Sequence, residues 1–168
     1  HRPRAVNVIG APAAVPRTVP FLLADEVVAR GAYPGVITRP AELHQHADPF
    51  SFMRETATFQ MLSRGYAEDM GRARAMRPTH ANDVGVVYCL PNAEWARRVS
   101  GVFGNDLAVG APHLAHAVLT QKDSGYLVSV RAPASVRQCA DTLCAQFDTG
   151  GGRKGAAGIN HLPESELP

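Results

Sequence analysis

The sequence predicts an α/β fold: a mixed β-sheet flanked by helices, preceded by a helical connector and a proline-rich N-terminal segment. Three observations predict it. Residues 84–90 (Val-Gly-Val-Val-Tyr-Cys-Leu) form an unbroken apolar run between Asp83 and Pro91, the pattern of a buried strand. Residues 115–120 and 126–132 read as two further strands, joined by Gln121-Lys122-Asp123-Ser124-Gly125 as a hairpin. Helical spacing separates and follows them, so the order is strand, helix, strand, strand, helix.

The elements follow in chain order. Over 1–50, Pro3, Pro12, Pro16, Pro20, Pro34 and Pro40 exclude long helices, and only 21–30 has a short helical pattern. Over 51–78, Phe52, Phe59, Met61, Leu62, Tyr66 and Met70 recur near helical spacing with charges between them. That predicts a helical linker over 51–76, continuous or broken at Gly65, ending before Pro78. Residues 79–168 form the third region. After the strand at 84–90, Asn92 is expected to cap a helix through Trp95, Val99 and Val102. Ser135 is expected to cap another through Val136, Cys139, Leu143 and Phe147. A glycine loop and a short helix or strand over 156–162 complete the chain.

With 168 residues, 45% of them hydrophobic and 19% charged, the chain can bury a core. A net charge of +2 excludes a nucleic-acid coat or a polybasic membrane surface, so any anion recognition is local. No apolar stretch approaches the roughly 20 residues that span a bilayer, and no membrane partner is expected. Residues 5–15 follow basic residues, but Asn7, Gly10 and Pro12 interrupt them, which argues against a signal peptide. Cys89, Cys139 and Cys144 have no pairing pattern and are expected to be free thiols, in keeping with a cytoplasmic location. The chain begins with His1, so its natural start is expected upstream.

The strongest chemical signal lies near the C-terminus. Gly150, Gly151 and Gly152 free the backbone to turn successive N–H groups into one concavity, with Arg153 and Lys154 at its rim. Small residues follow, ending at Gly158. This pattern suits a phosphate.

Gly150-Gly151-Gly152-Arg153-Lys154-Gly155-Ala156-Ala157-Gly158 resembles the GGGHxxAAG signature of the DHHA1 domain, and Ser129-Val130-Arg131 resembles that domain's SxR element. DHHA1 is the C-terminal, substrate-binding half of DHH-family phosphoesterases: single-strand exonucleases, oligoribonucleases and exopolyphosphatase-like proteins. The resemblance covers about half of the chain. It implies a domain that holds a terminal phosphate while an N-terminal DHH domain, in cis or in trans, supplies a pair of Mn or Mg ions. On this resemblance the backbone of Gly150, Gly151 and Gly152, together with Arg153, Lys154, Arg131 and Ser129, binds the phosphate. The partner implied is a phosphorylated small molecule or a short nucleic acid; a homodimer is compatible with it. Two departures stand out. Arg153 replaces the family's His, keeping the charge but losing titration near neutrality. The sequence also has no Asp-His-His and no Asp-x-Asp, so it carries no catalytic metal motif of the family, and no cofactor is expected on this chain.

Other residues also offer chemistry. His44, His46 and Asp48 alternate at period two and form a candidate metal group. Trp95, Arg97 and Arg98 offer an aromatic face and two cations to a base, against the reading that Trp95 packs on the sheet with both arginines in solvent. His113 and His116 read as surface or turn residues. Two function classes follow: the substrate-holding part of a phosphoesterase acting on phosphorylated nucleotides, short oligonucleotides or polyphosphate, or a stand-alone nucleotide- or nucleic-acid-binding module without catalysis.

Overall fold

The structure, a computed structural model, describes residues 49–135 and 139–167. The short helix expected over 21–30, nearly all of the proline-rich segment, and His44, His46 and Asp48 lie outside the described residues. By compactness the chain divides into two units, 1–66 and 67–168.

In the first unit, α1 spans Pro49–Glu55 and is followed by α2, Ala57–Ala75, whose C-terminal residues from 67 onward belong to the second unit. The helical region is broken at Thr56, not at Gly65. The cause is local: the Thr56 hydroxyl accepts the Phe59 N–H at 3.2 Å, which caps the new helix and stops the old one. Gly65 is carried through within the helix.

The second unit is built on a six-stranded mixed sheet. Its strands are β1 (His80–Ala81), β2 (Gly85–Leu90), β3 (Ala115–Lys122), β4 (Gly125–Arg131), β5 (Gly150–Arg153) and β6 (Ala156–Leu162). Their spatial order is β1-β2-β3-β4-β6-β5. β2 and β3 are parallel and joined through α3 (Glu94–Gly110); the other pairs are antiparallel. The α/β fold with a mixed sheet is therefore the one the sequence predicts.

Each face of the sheet has its own cover. On one face, Leu119, Val128, Val130, Ala157 and Ile159 form a core with Ala140 and Cys144 of the short helix α4 (Ala140–Cys144). On the other, α3 buries Ala96, Val99, Ser100, Phe103 and Gly104, a stripe at helical spacing. The Phe103 ring meets Tyr88 of β2 edge-on, with ring centroids 5.1 Å apart.

Several local expectations are corrected. Asn92 does not cap α3; Ala93 holds that position, and the Asn92 side chain instead donates to Asp123 and accepts from Arg97, each at 2.7 Å. Cys139, not Ser135, holds the N-cap position of α4, which ends at Cys144, short of Phe147; Val136 lies outside the described residues. The hairpin between β3 and β4 is tighter than the sequence suggested: Lys122 pairs with Gly125, leaving Asp123 and Ser124 as its two-residue turn.

Candidate functional site

The glycine-rich stretch is a β-hairpin. Gly150–Arg153 forms β5, Lys154 and Gly155 turn, and Ala156–Leu162 returns as β6. The expected cradle of successive N–H groups is thus replaced by an extended strand, in which alternate N–H groups point in opposite directions. The three glycines serve different ends. A Cβ on Gly150 would collide with the Cys144 carbonyl, and one on Gly152, at φ +147°, would lie 2.5 Å from the Ala157 Cα. A Cβ on Gly151 would meet nothing within 4 Å. Packing therefore demands two of the glycines, while the third leaves open space above the sheet.

Register brings the two sequence motifs together. Ser129 pairs with Gly158, and Gly158 with Gly151; Arg131 pairs with Ala156, and Ala156 with Arg153. Side chains at i and i+2 share a face, so Ser129, Arg131, Ala156, Gly158, Gly151 and Arg153 all belong to the face that α3 covers elsewhere. The result is a shelf of Gly and Ala with an arginine at each side. With strands about 4.8 Å apart, the Arg131 and Arg153 backbones lie roughly 10 Å from each other. Arg153 and Lys154 are exposed, Arg131 is half-buried.

Arg131 is fixed by four hydrogen bonds. Its Nε donates to Asn105 Oδ1 at 2.7 Å, Nη1 to Ser129 Oγ at 3.0 Å and the Val130 carbonyl at 2.9 Å, and Nη2 to the Gly101 carbonyl at 3.1 Å. Gly101 and Asn105 are one helical turn apart on α3, so together they clamp the guanidinium. Gly104 faces the same pair: a Cβ there would stand in ordinary contact, 3.8 Å from Ser129 Oγ and 3.9 Å from Arg131 Cγ. All four acceptors are neutral. Burial pulls the guanidinium pKa below its ordinary value, but arginine stays cationic at neutral pH. Among the described residues, then, Arg131 holds a half-buried positive charge with no carboxylate to offset it. Such a charge attracts an anion.

The other sequence candidates fall elsewhere. Arg98 does not face solvent: it pairs with Asp69 of α2 at 2.8 Å, with 16% and 4% of the two side chains exposed. Arg97 is tied to Asn92, and Trp95 is half-buried. His116 is no surface residue but lies 2% exposed on β3, whereas His113 is exposed in a turn. No group of three or more His, Cys, Asp or Glu able to hold a metal occurs among the described residues. Among them, no helix is long and apolar enough to cross a membrane. Sequence reasoning missed Gly101 and Asn105, whose bonds to Arg131 depend on where α3 packs.

The sequence matches no family model and no curated protein. In structure, the chain is similar to a pGpG-specific phosphodiesterase, PggH, from Vibrio cholerae, with a TM-score of 0.50 and 11% identity. The likeness covers 74% of this chain and 43% of the phosphodiesterase chain, so this chain spans less than half of that protein's length. At such identity the likeness is one of fold.

Proposed function

We propose that residues 79–168 form the phosphate-holding, DHHA1-like part of a phosphoesterase that acts on phosphorylated nucleotides or short oligonucleotides. The observation that carries this reading is Arg131: a guanidinium clamped by neutral groups, beside a shelf of Gly and Ala, with Arg153 across it. The fold likeness to a phosphodiesterase and the DHHA1-like motifs point the same way.

In this reading a terminal phosphate lies over Ala156 and Gly158. Arg131 contacts it from an immobile position, and Arg153 reaches it from the opposite side. Gly151 contributes space, since any side chain there would occupy the shelf. Held at two points, the phosphate orients the neighbouring ester bond, which is catalysis by positioning. Metal ions held by a DHH domain, in cis or in trans, would supply the nucleophile and stabilise developing charge.

The test is a titration of the full chain with a 5′-phosphorylated dinucleotide and with its dephosphorylated twin, with Mn²⁺ present and products followed. Binding that depends on the phosphate, without cleavage, is expected. Arg153→Ala should weaken it about tenfold, the effect of one charge-assisted hydrogen bond of ~1.5 kcal/mol. Equal affinity for the two dinucleotides would overturn the reading. Phosphate-independent binding of the same oligonucleotides would instead favour a stand-alone nucleic-acid-binding module.

A further inference from the structure

Two consecutive residues of α3 each hold an arginine from another element by its Nε, and they treat the two charges differently. At Asp106, the Arg74 Nε and Nη2 both donate to Oδ2, at 2.9 and 2.6 Å, so that guanidinium meets a carboxylate. One residue earlier, Asn105 Oδ1 accepts the Arg131 Nε–H at 2.7 Å. Consecutive residues stand roughly 100° apart around a helix, so each serves its own flank. Arg98, with 16% of its side chain exposed, also has a carboxylate, that of Asp69. Arg131 is half-buried and has only the amide, the Ser129 hydroxyl and two backbone carbonyls.

Asparagine and aspartate have nearly the same shape, and the side-chain oxygen of either accepts from Nε. Charge is what separates them. A carboxylate at 105 would hold the guanidinium at least as firmly, because a hydrogen bond between two ionised groups is the stronger kind. It would also cancel the charge that an anion needs to find. The clamp uses four of the five N–H donors of Arg131, two on Nη1 and one each on Nε and Nη2. One N–H on Nη2 is left. What Arg131 offers a ligand is therefore chiefly its charge, and the residue at 105 governs that charge.

We propose that Asn105 is a positioning residue that sets specificity: its neutral amide fixes Arg131 without cancelling it, so that an anionic ligand supplies the missing countercharge. The proposal rests on the phosphate reading of Arg131, with the terminal phosphate as that anion. It adds that the fold gives up stability at position 105 to keep the site open to anions.

The test compares the full chain with Asn105→Asp and Asn105→Ala, each titrated with the 5′-phosphorylated dinucleotide and its dephosphorylated twin and each unfolded in urea. Asn105→Asp should hold or raise the urea midpoint, yet bind the phosphorylated dinucleotide about thirtyfold more weakly, the effect of losing a charge-assisted contact. Asn105→Ala loosens the guanidinium but leaves its charge, so it should lower the midpoint and weaken binding only about threefold. The aspartate variant is thus the more stable of the two and the weaker binder, whereas a merely structural role would make affinity follow stability. Gln121→Glu adds the same charge at the exposed far end of β3 and should leave affinity within about twofold, since screening removes an effect at that distance. If Asn105→Asp binds as tightly as the unaltered chain, or more tightly than Asn105→Ala, the proposal is overturned and the phosphate reading stands. Equal affinity of the unaltered chain for both dinucleotides would overturn the two together.

Discussion

Arg98 and Arg131 differ in what lies opposite the charge. Arg98 meets the buried carboxylate of Asp69 at 2.8 Å, and removing Arg98 takes that countercharge from a carboxylate in a poorly solvated place. Arg98→Ala is therefore expected to lower unfolding stability by about 3 kcal/mol, read from the urea midpoint at constant slope. Glu94, 3.8 Å from Arg98 with 72% of its side chain exposed, adds little, and Glu94→Ala should leave the midpoint almost unmoved. Arg131 has only neutral partners, so Arg131→Ala strands no charge. It should cost about 1 kcal/mol of stability while reducing affinity for a phosphorylated dinucleotide tenfold or more. Arg131→Lys should not restore that affinity, because an ammonium cannot make the fork of bonds to Asn105, Ser129 and Gly101 at once.

The hairpin of β5 and β6 is the element on which sequence and structure part most instructively. Three adjacent glycines read as a loop because glycine permits loops, yet pairing with β6 extends them into a strand. Their unequal surroundings give a sharp contrast. Gly152→Ala combines a positive φ with a collision against Ala157 and should destabilise by about 2 kcal/mol. Gly151→Ala, facing open space, should shift the thermal midpoint by no more than a degree or two, and any loss of phosphate affinity in it would report on the shelf itself. Gly125 follows the logic of Gly152: at φ +137°, its Cβ would strike the Leu162 carbonyl, so Gly125→Ala should also lower the midpoint. At the helix break, Thr56→Ala removes the cap to Phe59, at an expected cost of about 1 kcal/mol by the same denaturation assay.

Across the whole molecule, the three thiols report on burial. Cys144 is fully buried and Cys89 half-buried, and burial raises both above the ordinary thiol value of 9.0; Cys139 is exposed. Brief alkylation at neutral pH, followed by intact mass and peptide mapping, should label Cys139 and spare Cys144. The linkage to stability has a definite sign. Above pH 9 the unfolded chain loses thiol protons that the folded chain keeps, so the unfolding midpoint should fall as pH rises from 9. Replacing Cys144 by Ala should flatten that alkaline decline.

The sequence by itself determined the mixed sheet. Apolar runs such as 84–90, the hairpin residues around Gly125 and the helical spacing of Trp95, Val99 and Val102 are local patterns, set by periodicity and turn chemistry, although the residues α3 buries are Ala96, Val99, Ser100, Phe103 and Gly104. It also carried the two halves of the candidate phosphate site as separate motifs, Ser129-Val130-Arg131 and the glycine stretch. Tertiary structure alone decided how they meet. Strand register places Arg131 level with Arg153 across Ala156, and the approach of α3 supplies Gly101 and Asn105 to hold the guanidinium. It also buried His116 and Arg98, which read as surface residues. No local pattern encodes these outcomes, because a side chain's partner and solvation depend on which distant segment packs above it.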